Sequence, residues 1–210
     1  MSTQAGAHEF DGAYWENHWR GASGTGKEPN PYLVRETAGL NPGTALDAGC
    51  GEGGEARWLA SRGWDVTAAD ISAEALTRAA GAGDAAKVEW VRADLTTWTP
   101  ASRFDLVVTH YAHPSMPQLA FYERVAGWVK PGGTLLVVGH LHAGGAAGHG
   151  HGHGSRPPAE ASVTAADITA RLDPAGWTVV TAEERSRTLT APNGRSVSLH
   201  DVVVRATRHR

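Results

Sequence analysis

A glycine-rich loop flanked by carboxylates is the part of the sequence whose residue types point most directly to chemistry. The stretch LDAGCGEGG, residues 46–54, fits the pattern G-x-G-x-x-G between Gly49 and Gly54. In that pattern the glycines allow a tight turn and a close approach of the backbone to a ligand, which is often a pyrophosphate. Asp47 precedes the glycines, however, and Glu52 lies among them. Two carboxylates are unexpected beside a phosphate.

Further polar residues stand at the ends of the predicted strands that follow. Asp70 ends the second strand, Asp94 ends the third, and His110 and Tyr111 end the fourth. Ligands of open α/β sheets bind at the carboxyl ends of the strands, so we expect these side chains to lie close together. Asp70 follows the glycines by about 20 residues, where a carboxylate can bind ribose hydroxyls. Both an NAD-dependent oxidoreductase and an enzyme with another nucleoside cofactor fit this pattern.

The charge of the ligand separates these alternatives. At about 4 Å and an effective dielectric constant near 20, each carboxylate would oppose a phosphate by about 4 kcal/mol before screening. S-adenosylmethionine contains an adenine and a ribose, no phosphate, and two cationic groups, a sulfonium and an α-ammonium. Asp47 suits the ammonium group, and Asp94 can accept a hydrogen bond from the adenine amino group. The glycines allow the backbone to approach the methionine portion, so the residues favour S-adenosylmethionine as the cofactor.

The elements that position these residues alternate between apolar strands and helices from residue 44 onward. Such alternation predicts an α/β, Rossmann-like fold with a mostly parallel sheet and helices on both faces. Two β-rich runs near the end of the chain flank Pro192-Asn193-Gly194, and Asn-Gly between strands is a strong hairpin signal. We therefore predict a seven-stranded sheet that ends in a C-terminal antiparallel hairpin, all within one domain over residues 1–210.

Capping and turn residues predict where several elements begin and end. Gly63 closes the helix that follows the glycine loop, and Ser72 caps the next helix. Pro131-Gly132-Gly133 predicts a turn before the fifth strand. Thr164 caps a later helix, which we expect to end at Pro174.

Composition and charge exclude several classes of function. With 210 residues and a formal net charge of -3, the chain is long enough for a buried core and is not expected to bind nucleic acid or a membrane. Cys50 is the single cysteine, which excludes an internal disulfide and fits a reducing compartment. No signal-peptide pattern and no run of about 18 apolar residues is present. We expect a cytoplasmic protein that is a monomer or homodimer.

Five segments together resemble the class I S-adenosylmethionine-dependent methyltransferases. The segments follow the order and spacing of that family and are ALDAGCGEG (45–53), VTAADIS (66–72), VRADL (91–95), FDLVVTH (104–110) and VKPGGTLLVV (129–138). The resemblance implies a methyltransferase in which Gly49 and Gly51 line the methionine portion. It implies that Asp70 binds the ribose and that Asp94 and Leu95 bind the adenine. Ile71 and His110 complete this set of cofactor-binding residues together with Asp47.

The N-terminal segment resembles one branch of this family. YWENHW, residues 14–19, followed by PNPYLV, looks like the small-molecule branch that includes the tellurite-resistance and thiopurine-type methyltransferases. The resemblance implies a helical cap over residues 1–40. In such a cap Tyr14 and Trp19 cover the cofactor and close the substrate pocket. A helix that merely packs on the core would show the same aromatic spacing.

Tyr111, His113 and His140 are the candidate catalytic residues. HYAHPSMP, residues 110–117, follows the fourth strand, where the transferred methyl group should point, and His140 leaves the fifth strand beside it. Imidazole titrates near neutral pH and can take the proton of a thiol or phenol; packing of His110 and His113 is the alternative. The segment lacks the Asn/Asp-Pro-Pro-Tyr arrangement of nucleic-acid amino-methyltransferases. We therefore expect a small-molecule substrate with an O, N or S nucleophile.

A second group of histidines lies in residues 142–158, which are rich in glycine and histidine. The absence of apolar periodicity predicts a flexible loop. Alternate histidines bind nickel, copper or zinc opportunistically, so a metal-binding protein that uses this loop is a further alternative. The loop contains no carboxylate of the kind that usually orients metal-binding histidines. We therefore predict no metal in the active site.

Overall fold

The computed structural model describes residues 10–22, 28–82, 88–141, 162–190 and 196–210. The predicted loop over residues 142–158 and the turn at Pro192-Asn193-Gly194 lie outside the described residues. Within the described residues the longest helix has ten residues, and no helix is long and apolar enough to cross a membrane.

Seven strands in the described part of the chain form one sheet in the order β3-β2-β1-β4-β5-β7-β6. β1 to β5 are parallel, and β7 runs antiparallel to both β5 and β6. The predicted mostly parallel sheet with a C-terminal antiparallel pair is therefore confirmed. The strands are β1 (Thr44–Ala48), β2 (Asp65–Asp70), β3 (Val88–Arg92), β4 (Phe104–His110), β5 (Val129–His140), β6 (Trp177–Thr190) and β7 (Ser196–Arg208).

Helices cover both faces of the sheet, as predicted. One face packs against residues of α2, α3 and α4, and the other packs against α5 and α6. β1, between β2 and β4, contributes buried residues to both faces, which explains its nearly continuous apolar sequence. The helices are α1 (Gly12–Gly21), α2 (Pro31–Thr37), α3 (Gly54–Ser61), α4 (Ala73–Gly81), α5 (Gln118–Ala126) and α6 (Ala165–Thr169).

Local capping follows the sequence signals closely. The Ser72 side chain accepts a hydrogen bond from the Ala75 amide at 3.2 Å and caps α4. Thr164 forms a capping box with Asp167 at the start of α6. Gly63 adopts a left-handed φ of 92° after the end of α3, which is the conformation that favours glycine at that position.

Two boundaries differ from the prediction. β5 begins at Val129 and includes Pro131-Gly132-Gly133, which form an irregularity within the strand because the pairing with β4 shifts register there. α6 ends at Thr169 instead of Pro174. The amides of Arg171 and Leu172 bond three residues back, so the chain continues as tight turns before the proline.

The order of the strands creates a crevice between β1 and β4. β2 and β3, which follow β1 in the chain, lie on one side of β1 in the sheet. The chain then crosses over, and β4 and β5 lie on the other side of β1. Such a change of direction is where open α/β sheets bind ligands, outside the carboxyl ends of the strands. Asp47 in β1 and His110 at the end of β4 are thereby placed on the two sides of the crevice.

Arg124 of α5 fixes the loop that follows β3, which contains Asp94 and Leu95. Its guanidinium donates to the Leu95 carbonyl at 2.8 Å and to the Trp98 carbonyl at 2.7 Å. It also lies 5.6 Å from the centroid of the Trp128 ring. A single side chain of the helix therefore holds the backbone of this loop.

We predict that Arg124→Met lowers the free energy of unfolding by about 2 kcal/mol, because two charge-assisted hydrogen bonds to carbonyl groups are lost. Arg171→Met is the matched control, since Arg171 pairs with the exposed Glu123 and surface ion pairs contribute little. Urea denaturation of both variants measures the difference. Equal losses in the two variants would contradict the assigned role of Arg124.

Candidate active site

A cavity of about 600 Å³ opens at the carboxyl ends of the strands. The structure brings all of the sequence-predicted site residues to its wall. They are Tyr14, Trp19, Asp47, Gly49, Gly51, Asp70, Ile71, Asp94, Leu95, His110, Tyr111, His113 and His140.

The glycine loop between β1 and α3 has a backbone that side chains would obstruct. Gly49, Gly51 and Gly53 have positive φ values of 82°, 50° and 70°. A Cβ atom on Gly49 would lie 2.5 Å from the Cβ of Ala112. The loop therefore needs glycine both for its conformation and for the space around it.

Asp70 connects the end of β2 to this loop. Its Oδ2 accepts a hydrogen bond from the Gly51 amide at 2.9 Å, and its Oδ1 accepts one from the Ser72 amide at 2.9 Å. Burial raises the pKa of Asp70, and the backbone donors oppose that shift. Because each carboxylate oxygen can accept two hydrogen bonds, Asp70 can also bind the hydroxyl groups of a ligand.

Asp47 is the most deeply buried carboxylate of the cavity wall, with 1% of its surface exposed. Its Oδ2 makes no hydrogen bond with any described residue. Burial raises the pKa of Asp47 well above its ordinary value, and the nearby Glu55 and Asp70 raise it further. A buried carboxylate with an unsatisfied oxygen is costly, so this position favours a ligand that carries a hydrogen-bond donor and a positive charge.

The described wall of the cavity has more acidic than basic side chains. Six carboxylates line it against one guanidinium, that of Arg187. Arg187 is itself neutralised by Asp201, because its Nε lies 2.6 Å from an oxygen of that carboxylate. The acidic residues are Glu28, Asp47, Glu52, Glu55, Asp70 and Asp94. This wall repels a pyrophosphate and attracts a cation.

Helix α1 covers the glycine loop from outside the sheet. A Cβ atom on Gly51 would lie 2.9 Å from the ring of Trp19, so the indole packs directly against the loop. Glu16 accepts a hydrogen bond from the Ser72 hydroxyl at 2.9 Å, which attaches α1 to the start of α4. The Trp15 indole donates to the His113 carbonyl at 3.1 Å. The helix thus joins the cofactor side of the cavity to the histidine side.

Asp94 has local hydrogen bonds as well as a place in the cavity wall. Its Oδ1 accepts hydrogen bonds from the amide and the hydroxyl of Thr96 at 2.9 and 2.7 Å. The carboxylate therefore caps the turn after β3. The binding of an adenine by Asp94 stays a prediction.

Tyr111 has a different environment from the one that its catalytic assignment requires. Its hydroxyl donates to Asp201 at 2.9 Å and accepts hydrogen bonds from Arg187 at 2.9 Å and Asn30 at 3.3 Å. Burial, reinforced by the charge of Asp201, raises the pKa of Tyr111. The hydroxyl therefore holds a buried network together, and its ring, 4.5 Å from the His140 ring, forms part of the cavity wall. This geometry does not favour Tyr111 as a proton acceptor.

The histidines of the site have distinct surroundings. Both ring nitrogens of His110 are shielded from solvent and make no hydrogen bond with a described residue. Burial lowers the pKa of His110, which keeps the ring neutral near pH 7. The rings of His113 and His140 are stacked at 5.4 Å. His113 is 8% exposed, and its Nδ1 lies 3.2 Å from the Oε1 of Gln118.

Several residues of the site were missed by sequence reasoning. Asn30-Pro31 is a helix-start signal that could have placed Asn30 before α2, at the cavity. Arg187 and Asp201 lie on the hairpin strands, and no spacing pattern relates them to Tyr111. Gln118 stands at the start of α5, where the sequence gives no sign of a functional role.

Comparison with known proteins agrees with this geometry. Residues 45–133 match a family described as a methyltransferase domain. An uncharacterised methyltransferase of Mycobacterium bovis is 43% identical over 95 residues, which cover 44% of this chain and 48% of that protein. The trans-aconitate 2-methyltransferase of Streptomyces avermitilis is 36% identical over 105 residues, covering 45% of this chain and 38% of that protein. The matched part of the chain thus spans about half of the first relative and 38% of the second.

The fold is shared with a solved structure over most of the chain. TehB from Haemophilus influenzae superimposes with a TM-score of 0.67 and 15% sequence identity, covering 86% of this chain and 62% of that chain. Residues 45–133 are thus similar to a methyltransferase domain, and the chain has the fold of TehB. The glycine loop, Asp47 and Asp70 lie within the residues that match this family. The comparisons give no support to the alternative of an NAD-dependent oxidoreductase.

We predict that Asp47→Asn makes the unliganded protein more stable at neutral pH. Because the pKa of Asp47 is raised by folding, the folded state binds more protons than the unfolded state above the ordinary pKa of an aspartate. Stability is therefore lost as pH rises towards the raised pKa, and the loss is complete above it. Because asparagine does not ionise, the Asp47→Asn variant does not lose this stability as the pH rises.

Urea denaturation from about pH 4 to about pH 8 tests the prediction. The variant should unfold at higher urea than the wild type at the upper pH values and should depend less on pH. Asp65→Asn, which alters an exposed residue of β2, is the control. A variant less stable than the wild type at every pH would contradict the assignment.

Proposed function

We propose that this chain transfers the methyl group of S-adenosylmethionine to a small-molecule nucleophile. The observation that carries the proposal is the unsatisfied carboxylate of Asp47 in the acidic wall beside the glycine loop. A buried, partly unpaired carboxylate needs a cationic donor, and S-adenosylmethionine carries an ammonium and a sulfonium. The methyltransferase matches support the same cofactor independently.

The residues present fit this cofactor. Asp47 would hold the ammonium group, and the glycine loop offers the methionine portion an approach that a Cβ atom would block. Asp70 would bind the ribose hydroxyls while it continues to brace the Gly51 amide. Asp94 and Leu95 would bind the adenine, with Arg124 fixing the loop that carries them. Ile71, His110, Tyr14 and Trp19 would complete the contact surface.

The protein's main contribution to such a reaction is alignment. S-adenosylmethionine supplies a methyl group that its sulfonium already activates for transfer. The chain therefore needs to hold the acceptor in line and to exclude water, and alignment alone contributes about 7–11 kcal/mol to such reactions. α1 serves the second need, since Trp15 and Trp19 connect it to both sides of the cavity.

The size and lining of the cavity support a small substrate. Beside the cofactor-binding residues the wall includes the aromatic rings of Phe10 and Trp15 and the rings of the histidine side. Aromatic faces of this kind suit a flat or apolar molecule and also attract a sulfonium. The single-domain organisation, the monomeric or homodimeric state and the cytoplasmic location remain predictions.

We predict that Asp47→Asn weakens the binding of S-adenosylhomocysteine by about 10- to 100-fold, because a hydrogen bond to a charged group is worth about 1.5–3 kcal/mol. Isothermal titration calorimetry measures this loss, and Asp65→Asn should bind like the wild type. The same Asp47 variant is expected to be more stable without ligand, so misfolding cannot explain its weaker binding. Unchanged affinity would remove Asp47 from the cofactor site.

Transfer of labelled methyl from S-adenosylmethionine to thiols, phenols, heterocyclic amines and chalcogen oxyanions tests the activity itself. Turnover of one class identifies the acceptor atom. Thermal stabilisation by S-adenosylhomocysteine but not by NAD is also expected. Stabilisation by NAD alone would overturn the proposal.

A further inference from the structure

Gln118 is a buried amide whose partners fix its orientation. It is 5% exposed and lies at the start of α5, behind the histidine side of the cavity. Its Nε2 donates to the Ala112 carbonyl at 3.0 Å, and the Tyr122 hydroxyl is a further hydrogen-bond partner. A carbonyl oxygen can only accept, so the nitrogen of the amide must face Ala112. The Oε1 atom is therefore the one that faces His113.

This orientation decides the tautomer of His113. The Gln118 Oε1 lies 3.2 Å from the His113 Nδ1 and, as an amide oxygen, can only accept a hydrogen bond. Nδ1 must therefore carry a proton. In the neutral ring the proton is then absent from Nε2, which keeps its lone pair. The ring lines the cavity, and its Nε2 atom is shielded from solvent in the unliganded protein.

We propose that Gln118 is a positioning residue that holds His113 in the Nδ1–H tautomer, so that His113 Nε2 takes the proton of a neutral protic acceptor. The acceptor class that this assigns is a thiol, a phenol or an N–H heterocycle. The inference rests on the proposed methyltransferase function, whereas the tautomer itself does not depend on it.

Methyl transfer to a neutral protic acceptor also releases a proton. A new bond forms between the acceptor atom and the methyl carbon, and the bond from that carbon to sulfur breaks with its electron pair left on sulfur. The proton of the acceptor passes to Nε2 of His113 and is later released to water. The sulfonium thereby becomes the neutral thioether of S-adenosylhomocysteine, and the products are this thioether, the methylated acceptor and one proton.

The charges around the site disfavour an acceptor that is already anionic. Arg187 is the guanidinium of the described cavity wall, and it is paired with Asp201. A carboxylate substrate would find no unpaired arginine or lysine among the described lining residues and would meet six acidic side chains. It would also need no base, and the fixed tautomer of His113 would serve no purpose.

Other titratable groups lie near His113. His140 of β5 stacks on its ring at 5.4 Å, and Tyr111 lies against His140. His18 of α1 lies next to Trp15, whose indole binds the His113 carbonyl. Any pH dependence must therefore be assigned to His113 by variants of its own partner, Gln118, and not by the profile of the wild type alone.

Nitrogen-15 NMR of the histidine rings in the full-length wild type tests the tautomer without any turnover. Above the pH at which the ring is neutral, His113 should show a protonated Nδ1 and an unprotonated Nε2, and a His113→Gln sample identifies its signals. A protonated Nε2 in the neutral ring would overturn the proposal. This result stands whether or not a methyl acceptor has been found.

Two substitutions at Gln118 test the link to catalysis. Gln118→Leu removes the acceptor and should lower kcat by about 10- to 100-fold, a part of the roughly 10²–10⁴-fold that a general base contributes. Gln118→Glu keeps an acceptor at the same place, so it should recover activity, and its negative charge should move the acidic limb of the pH–rate profile to higher pH. Binding of S-adenosylhomocysteine should stay within about twofold in both variants.

The acceptor panel, extended with trans-aconitate as a carboxylate, separates the possible failures. Turnover of thiols, phenols or N–H heterocycles in preference to carboxylates supports the proposal. Preference for a carboxylate, or the same pH profile in the wild type and both variants, would overturn it. Absence of S-adenosylhomocysteine binding to the wild type would instead refute the proposed function, while the NMR result would still decide the tautomer.

Discussion

The buried carboxylate of Asp47 is the constraint on which the site depends. β1 carries Asp47 between two parallel strands, where water cannot solvate it. Its Oδ2 makes no hydrogen bond within the described structure, and Glu55 and Asp70 add to its electrostatic cost. A fold that only needed stability would place an apolar residue here. The free energy that this carboxylate costs in the unliganded protein can be recovered when a cationic ligand binds.

The same constraint explains the structure around the glycine loop. Because the loop must approach its ligand closely, it has left-handed glycines and little side-chain packing of its own. Asp70 supports it from β2 through the Gly51 amide, and Trp19 supports it from α1. Glu16 in turn fixes α1 to the buried Ser72 at the start of α4. The cover of the cavity is therefore attached to the strand end that is expected to bind the ribose.

The sequence predicts the sheet, and the meeting of the candidate cofactor-binding residues at one cavity, because both depend on local patterns. Apolar runs, capping residues such as Ser72 and Thr164, and the spacing from Gly49 to Asp70 each constrain a short segment. The substrate side depends on contacts between residues far apart, such as Tyr111 with Asp201 and His113 with Trp15. No periodicity encodes such pairs. For this reason Tyr111 was predicted as a catalytic group although its hydroxyl is bound within a buried ion-pair network.

That network also explains why the histidine side can differ in chemistry from the cofactor side. Asp201 neutralises Arg187 and accepts a hydrogen bond from the Tyr111 hydroxyl. The wall between β4 and β7 is therefore polar in composition but nearly neutral in charge. On the same side of the cavity, Gln118 gives His113 a neutral amide partner instead of a carboxylate. A neutral partner orients an imidazole without holding it protonated, whereas a carboxylate would favour the imidazolium ion. Gln118 is therefore a better partner than a carboxylate for a histidine that must be unprotonated near pH 7.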